Sequence, residues 1–285
     1  MIVKLYNTID GILLEHHHRM FIMDEAWDDL INRDNLQAYL LSKTETAKPV
    51  SSPSPLNSES VLPPIGQQEV WAAGVTYLKS RDARMEESHS SGAASLYDRV
   101  YDAERPELFF KATASRVSGH NQQVFIRKDS AWNVPEPELT LFINSNGNIQ
   151  GYTCGNDMSS RSIEGENALY LPQAKIYEKS AAIGPCLYVM SSPIDAATTI
   201  KMIIRRGGAS VYEDSTTVSR IKRRFTELTE YLYRECDFPH GCYLMTGTCL
   251  VPPPGFTLQV GDVIEITIDH VGTMINTIAI NSKHH

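Results

Sequence analysis

Pro135-Glu136-Pro137-Glu138-Leu139-Thr140-Leu141-Phe142-Ile143 runs into Asn144-Ser145-Asn146-Gly147-Asn148, and the chain resumes as Ile149-Gln150-Gly151-Tyr152-Thr153-Cys154-Gly155-Asn156-Asp157. Two strand-forming runs flanking Asn-Gly spell a β-hairpin, because Asn and Gly accept the positive φ angles that a two-residue type I′ turn demands. The expected register sets Ser145 opposite Asn148 and, counted back along both strands, Glu136 opposite Asp157. Side chains two apart in a strand share a face, so Glu138 joins them. Opposed residues lie about 5 Å apart at Cβ, which gathers three carboxylates into one cluster. Like charges this close call for protonation, basic partners or a cation. Three hard oxygen donors suit Mg2+, Mn2+ or Ca2+. The alternative is a solvated acidic edge, since Pro135 and Pro137 favour an edge strand or a strand entrance.

Strands dominate on both sides of this hairpin. They are expected over Val70–Val75, Leu108–Phe110, Val124–Ile126, Leu187–Met190, Lys201–Ile204, Tyr243–Met245 and Val263–Ile268. One helix is expected where Val218, Ile221, Phe225, Leu228 and Leu232 step by three and four, with Ser215 or Thr216 as its cap. The first forty residues read as strand, turn, strand and a helix starting at Asp24, and prolines alternating with serines over 45–66 read as a linker. These readings give an α+β, mostly β chain with a small N-terminal α/β domain over 1–66 and a larger domain over 67–285. The charged stretch Lys79–Glu87, followed by Ser88-His89-Ser90-Ser91-Gly92, suggests a solvent-facing helix and a mobile loop.

The chain has 285 residues with 34 acidic against 26 basic side chains, a formal charge of −8, which argues against nucleic acid as a partner. No apolar run approaches the roughly 18 residues of a membrane span, and Met1–Asp10 lacks a basic segment followed by an apolar one, so a cytoplasmic protein is expected. Five cysteines without a Cys-x-x-Cys pair fit reduced thiols. Cys236, His240 and Cys242 are a weaker metal candidate, because zinc ligands are usually spaced as closed pairs.

The order of motifs resembles the fumarylacetoacetate hydrolase family. It is carried by Pro135-Glu136-Pro137-Glu138-Leu139, Gly151–Arg161, Ala174-Lys175, Ile183-Gly184-Pro185 and Leu244-Met245-Thr246-Gly247-Thr248, with Pro106–Lys111 before and Gly261–Ile266 and Val271-Gly272-Thr273 after, over residues 67–280. The resemblance implies a mixed β-roll catalytic domain, a homodimer, and a divalent metal on Glu136, Glu138 and Asp157, the same three residues that the hairpin brings together. It also implies that a 2-oxoacid chelates the metal, with Lys175, Thr248 and Arg161 lining the pocket.

Hydrolytic members follow their first strand with a tyrosine, a histidine three residues later and a nearby glutamate that together activate water. Here Tyr77 is followed by Ser80 and Ala83 at those positions. Gly74–Glu87, Arg105-Pro106-Glu107, Gly165-Glu166-Asn167 and Leu171–Lys175 instead resemble the branch that dehydrates 2-keto-3-deoxy sugar acids such as 2-keto-3-deoxy-arabinonate. On that resemblance Lys175 is the base for the C3 proton, or else an anchor for the substrate carboxylate. Glu107 is a candidate acid for the leaving hydroxyl and Ser80 its hydrogen-bonding partner, while Thr248, Arg161, Tyr77 and Arg81 are candidate substrate contacts. A hydrolase of a 2,4-diketo-3-deoxy sugar acid or a 2-oxoacid decarboxylase is the rival on the same scaffold, and a non-catalytic 2-oxoacid-binding homodimer is the rival of another class. Glu178 and Ala182 depart from the family pattern, which has aspartate and proline there, and Glu164 replaces a hydrolase glutamine.

Overall fold

The computed structural model describes residues 2–50, 59–77 and 99–283. In chain order the strands are β1 (Val3–Thr8), β2 (Gly11–His16), β3 (Arg19–Met23), β4 (Glu69–Gly74), β5 (Glu107–Thr113), β6 (Val117–Ser118), β7 (Gln122–Ile126), β8 (Asn133–Val134) and β9 (Pro137–Ile143). They continue as β10 (Ile149–Asp157), β11 (Ser159–Ser160), β12 (Ala181–Val189), β13 (Thr199–Arg206), β14 (Ala209–Thr217), β15 (Cys242–Met245), β16 (Val263–Ile268) and β17 (Gly272–Ile280). The helices are α1 (Trp27–Ile31), α2 (Leu36–Thr46), α3 (Arg161–Glu166), α4 (Leu171–Lys175) and α5 (Phe225–Tyr233).

One ten-stranded sheet runs β3-β2-β1-β12-β10-β9-β15-β4-β5, with β6 pairing β12 off this path, and a five-stranded sheet runs β14-β13-β16-β17-β7. Alternation along β9 separates two cores. Leu139, Leu141 and Ile143 point towards Ile264, Ile266, Ile268 and Met274 of the smaller sheet, whereas Phe142 joins Trp27, Leu30, Leu36 and Tyr243 on the other side. Burying each such side chain stabilises the fold by about 1.5–3 kcal/mol, so both faces of β9 are committed to packing. It is an interior strand, between β10 and β15, with Pro137 as its first residue. Proline is admissible there because the first residue need not donate to the ladder.

The hairpin forms with a different turn. Asn144 N–H donates to Asn148 O at 3.0 Å and Gly147 N–H to Asn144 O at 2.9 Å, a three-residue loop that closes on Gly147 at φ 77°. This displaces the register by one residue, and a bulge between Ile149 and Gly151 displaces it back. From Gly151 onward the pairing is the expected one, with Gly155 opposite Glu138 and Asp157 N–H donating to Glu136 O at 2.9 Å.

Two helical expectations need correction. The helix expected from Val218 is a single 3-10 turn, Val218–Arg220, followed by extended residues, and α5 begins only at Phe225. Ser215 and Thr216 belong to β14, so neither caps it. The helix expected from Asp24 begins at Trp27 and is followed by a second, α2. The N-terminal strands extend the large sheet through β1 on β12, Val3 opposite Val189, so the expected division at residue 66 falls within one sheet and one core. The charged stretch 79–87 and the Ser/Gly tip after it lie outside the described residues.

Candidate metal centre and active site

Glu136 precedes β9, Glu138 is its second residue and Asp157 ends β10, so pairing of these two strand ends brings the three carboxylates together. One oxygen from each lies within 4.8 Å of the others, and all three side chains are buried. A solvated acidic edge is thereby replaced by an enclosed cluster.

Three cations surround it. Lys175, the last residue of α4, donates from Nζ to Glu136 Oε2 at 2.6 Å, Asp157 Oδ2 at 3.0 Å and Ser159 Oγ at 2.5 Å. Lys111 Nζ reaches Asp157 Oδ1 at 2.5 Å and donates to the carbonyls of Met158 at 2.9 Å and Lys175 at 2.6 Å. Arg161, at the start of α3 behind the Ser160 cap, pairs through Nη2 with Glu136 Oε1 and lies 3.9 Å from Glu164. Four buried acids thus face three buried bases.

The imbalance concentrates on Glu138. Among the described residues no lysine or arginine pairs with it, and Oε2 accepts from the Gly247 N–H at 2.6 Å. Burial, then the charges of Asp157 and Glu136, push its carboxyl well above the usual range. Burial likewise pulls the Lys111 ammonium down, Asp157 opposing the fall and Lys175 adding to it. A buried all-oxygen trio with one carboxylate lacking a basic partner fits a hard divalent cation. Gly247 can present its N–H to Glu138 because its φ is 93°, a left-handed conformation that other residues rarely adopt.

The cavity over the trio is walled by Ala73, Gly74, Val75, Phe109, Gly247 and Thr248, with Arg161 at its side. A larger groove of about 1030 Å³ lies elsewhere, between the β9–β10 turn and α5, and contains none of these acids. Chemistry outranks size here, and the small cavity is the site.

Residues 70–279 match the family model described as fumarylacetoacetate hydrolase, C-terminal. The chain belongs to this family. A Haloferax volcanii protein named "Probable 2-keto-3-deoxyxylonate dehydratase" is 47% identical over 216 residues, 75% of this chain and 73% of that one. A 2-dehydro-3-deoxy-D-arabinonate dehydratase of Saccharolobus solfataricus is 39% identical over 227 residues, 78% of this chain and 76% of its own length. Among solved structures, a 2-keto-3-deoxy-D-arabinonate dehydratase complexed with magnesium and 2,5-dioxopentanoate superposes with a TM-score of 0.81 at 30% identity, covering 99% of this chain and 100% of that one. The mostly β fold is therefore that of the fumarylacetoacetate hydrolase family.

Of the residues singled out from sequence, Glu136, Glu138, Asp157, Arg161 and Thr248 line the cavity, and Lys175 lies against Glu136 and Asp157. Arg161 lines it, but its guanidinium is engaged with Glu136. Tyr77 is buried beside Cys249 and Glu138, and burial first, then those neighbours, raise its phenol. Glu107 stands opposite Gly74 in the β4–β5 pair, close enough that a methyl group on Gly74 would strike its Oε2. Ser80 and Arg81 lie outside the described residues. Cys242 is buried in β15 while Cys236 is exposed, and among the described residues the Glu136 trio is the only cluster of three metal-ligating side chains. Lys111 and Ser159 were not singled out as site residues. Lys111 had a legible signal, being a lysine in the apolar run Leu108–Ala112 at the same strand parity as Glu107 and Phe109.

Proposed function

We propose that this protein is a Mg2+-dependent hydro-lyase that removes water from a 2-keto-3-deoxy sugar acid, such as a 2-keto-3-deoxypentonate, to give 2,5-dioxopentanoate. The observation that carries this reading is the buried Glu136–Glu138–Asp157 cluster with Lys175 against it, in a chain 47% and 39% identical to two sugar-acid dehydratases. Charge balance supports it. Before any cation binds, four acids and three bases leave one negative charge, and a site that cannot bury net charge cheaply favours a counterion there.

Glu136, Glu138 and Asp157 would hold the cation, which supplies a Lewis acid for the 2-keto oxygen and so acidifies the C3 proton. Lys175 Nζ, which donates to Glu136, Asp157 and Ser159 behind the cavity wall, would give up one proton when a cation takes over those carboxylates and, as the neutral amine, takes the C3 proton. Glu107 donates a proton to the C4 hydroxyl, which departs as water, and the remaining proton shifts convert the C5 alcohol into the aldehyde. The Thr248 hydroxyl and backbone N–H face the substrate carboxylate, and Val75 and Phe109 exclude water from the reacting carbons. On the same reading Ser80 would assist the acid step and Arg81 would contact substrate.

The hydrolase alternative is disfavoured by Ser80 and Ala83, which stand where a water-activating histidine and glutamate are needed. The family resemblance supports a homodimer or higher homo-oligomer, and five free thiols agree with a cytoplasmic enzyme of pentose catabolism. Incubation of the Mg2+-loaded protein with 2-keto-3-deoxypentonates and their 2,4-diketo analogues separates the readings. Loss of one water per turnover is expected from the former. Pyruvate release would support the hydrolase, and tight 2-oxoacid binding without turnover would support the binding protein.

A further inference from the structure

Glu107 opens β5, which among the described residues is an edge strand paired with β4 alone. A residue at the end of such a strand has half the ladder of an interior one, so its position also depends on the segment that leads into it. The segment leading into it is gripped by Lys222 and Arg223, which lie more than a hundred residues further on. Arg223 donates through Nη1 to Glu104 O at 3.1 Å and through Nη2 to Val100 O at 3.3 Å and to Ala103 O. Its guanidinium is only 9% exposed and is itself oriented by Glu227 at 2.6 Å. Lys222 adds Nζ to Tyr101 O at 2.7 Å and an ion pair with Asp102, while its backbone N–H donates to Thr76 O at 3.0 Å. The same elbow therefore ties the approach to Glu107 and the exit from Gly74, the two positions that face each other across β4 and β5.

We propose that Arg223 is a positioning residue for Glu107, acting through the carbonyls of Val100, Ala103 and Glu104 to set where the Glu107 carboxylate stands against Gly74, a wall of the metal cavity. Arg223 does not touch the cavity. A planar fork with several donors holds three carbonyls and Glu227 in fixed directions, whereas a lysine offers a flexible point charge. The proposal rests on the reading of Glu107 as the acid.

The test is a double-mutant cycle on the full-length, Mg2+-loaded enzyme, with Mg2+ affinity measured by calorimetry on each variant. Arg223→Ala is expected to lower kcat about 10- to 100-fold, the cost of misplacing a catalytic group by about 1 Å, with KM and Mg2+ affinity changed less than about threefold. Arg223→Lys should fall between wild type and Arg223→Ala, and it carries the same cycle if Arg223→Ala does not fold. The exposed neighbour provides the control, Arg224→Ala leaving kcat unchanged. In a Glu107→Gln background, Arg223→Ala should produce no further loss. Undiminished kcat in Arg223→Ala, a parallel loss of Mg2+ affinity, or full additivity with an impaired Glu107→Gln would overturn the positioning role alone. Unimpaired turnover in Glu107→Gln would remove the acid role of Glu107 and the positioning role together.

Discussion

Glu138 is the residue on which the electrostatics of the cavity turn. Replacing it by glutamine keeps the shape and removes a buried carboxyl that has no basic partner among the described residues. Glu138→Gln is expected to weaken Mg2+ binding at least about 100-fold and to abolish turnover, yet to melt no lower than wild type in EDTA, because the metal-free protein already holds this carboxyl protonated and the amide replaces a neutral group of the same shape. Calorimetry and thermal melts read both effects. Its raised carboxyl also fixes a pH dependence. Folded metal-free protein retains a proton that the unfolded chain gives up near 4.5, so this contribution to stability is present at low pH and is lost as pH rises through the raised folded value. A divalent cation displaces the same proton and binds more tightly over the same rise. The gain in melting temperature on adding Mg2+ should therefore widen as pH rises above the usual carboxylate range, and a gap that narrows would contradict the site. Gly74→Ala tests Glu107 sterically: the added methyl group displaces the carboxylate, and kcat should fall at least about tenfold with Mg2+ affinity unchanged.

At the scale of elements, the β9–β10 hairpin was legible because strict alternation and Asn-Gly mark strands and turn together. The turn type was not, since a three-residue loop and a bulge shift the register in opposite senses and leave Glu136 facing Asp157 either way. The N-terminal segment takes part in that turn, with Asp34 accepting from the side chains of Asn144, Asn146 and Asn148 at 2.7–2.9 Å. Asp34→Ala should speed amide exchange at Gly147 and Asn148 several-fold while leaving Mg2+ affinity unchanged, as seen by hydrogen-exchange mass spectrometry. β14 was not legible because its residues are mostly exposed and polar, so no apolar period betrays it. The apolar steps from Val218 to Leu232 spell one helix, yet a 3-10 turn and an extended linker keep Val218 and Leu228 in the same core without a continuous one. Spacing alone does not tell these two solutions apart, because both bury the same side chains. Lys111 stands out as a lysine in an apolar strand, but its place beside the trio does not, because two of its partners, the carbonyls of Met158 and Lys175, arrive from 47 and 64 residues further along the chain.

For the whole molecule, the first forty-odd residues supply three strands of the ten-stranded sheet and, with Val3, Leu5, Leu14, Trp27, Leu30 and Leu36, much of one core. A fragment beginning at residue 67 would bare the β12 edge and that core. It is expected to lack the near-ultraviolet dichroism of packed aromatics, and a cooperatively melting fragment would show that the two parts fold separately. The most direct test of dehydration is 13C NMR of the product formed in D2O from a 2-keto-3-deoxypentonate and the Mg2+-loaded protein. Dehydration followed by proton shifts gives 2,5-dioxopentanoate carrying solvent deuterium at C4, whereas pyruvate together with a two-carbon aldehyde would mean carbon–carbon cleavage and would contradict the proposed function.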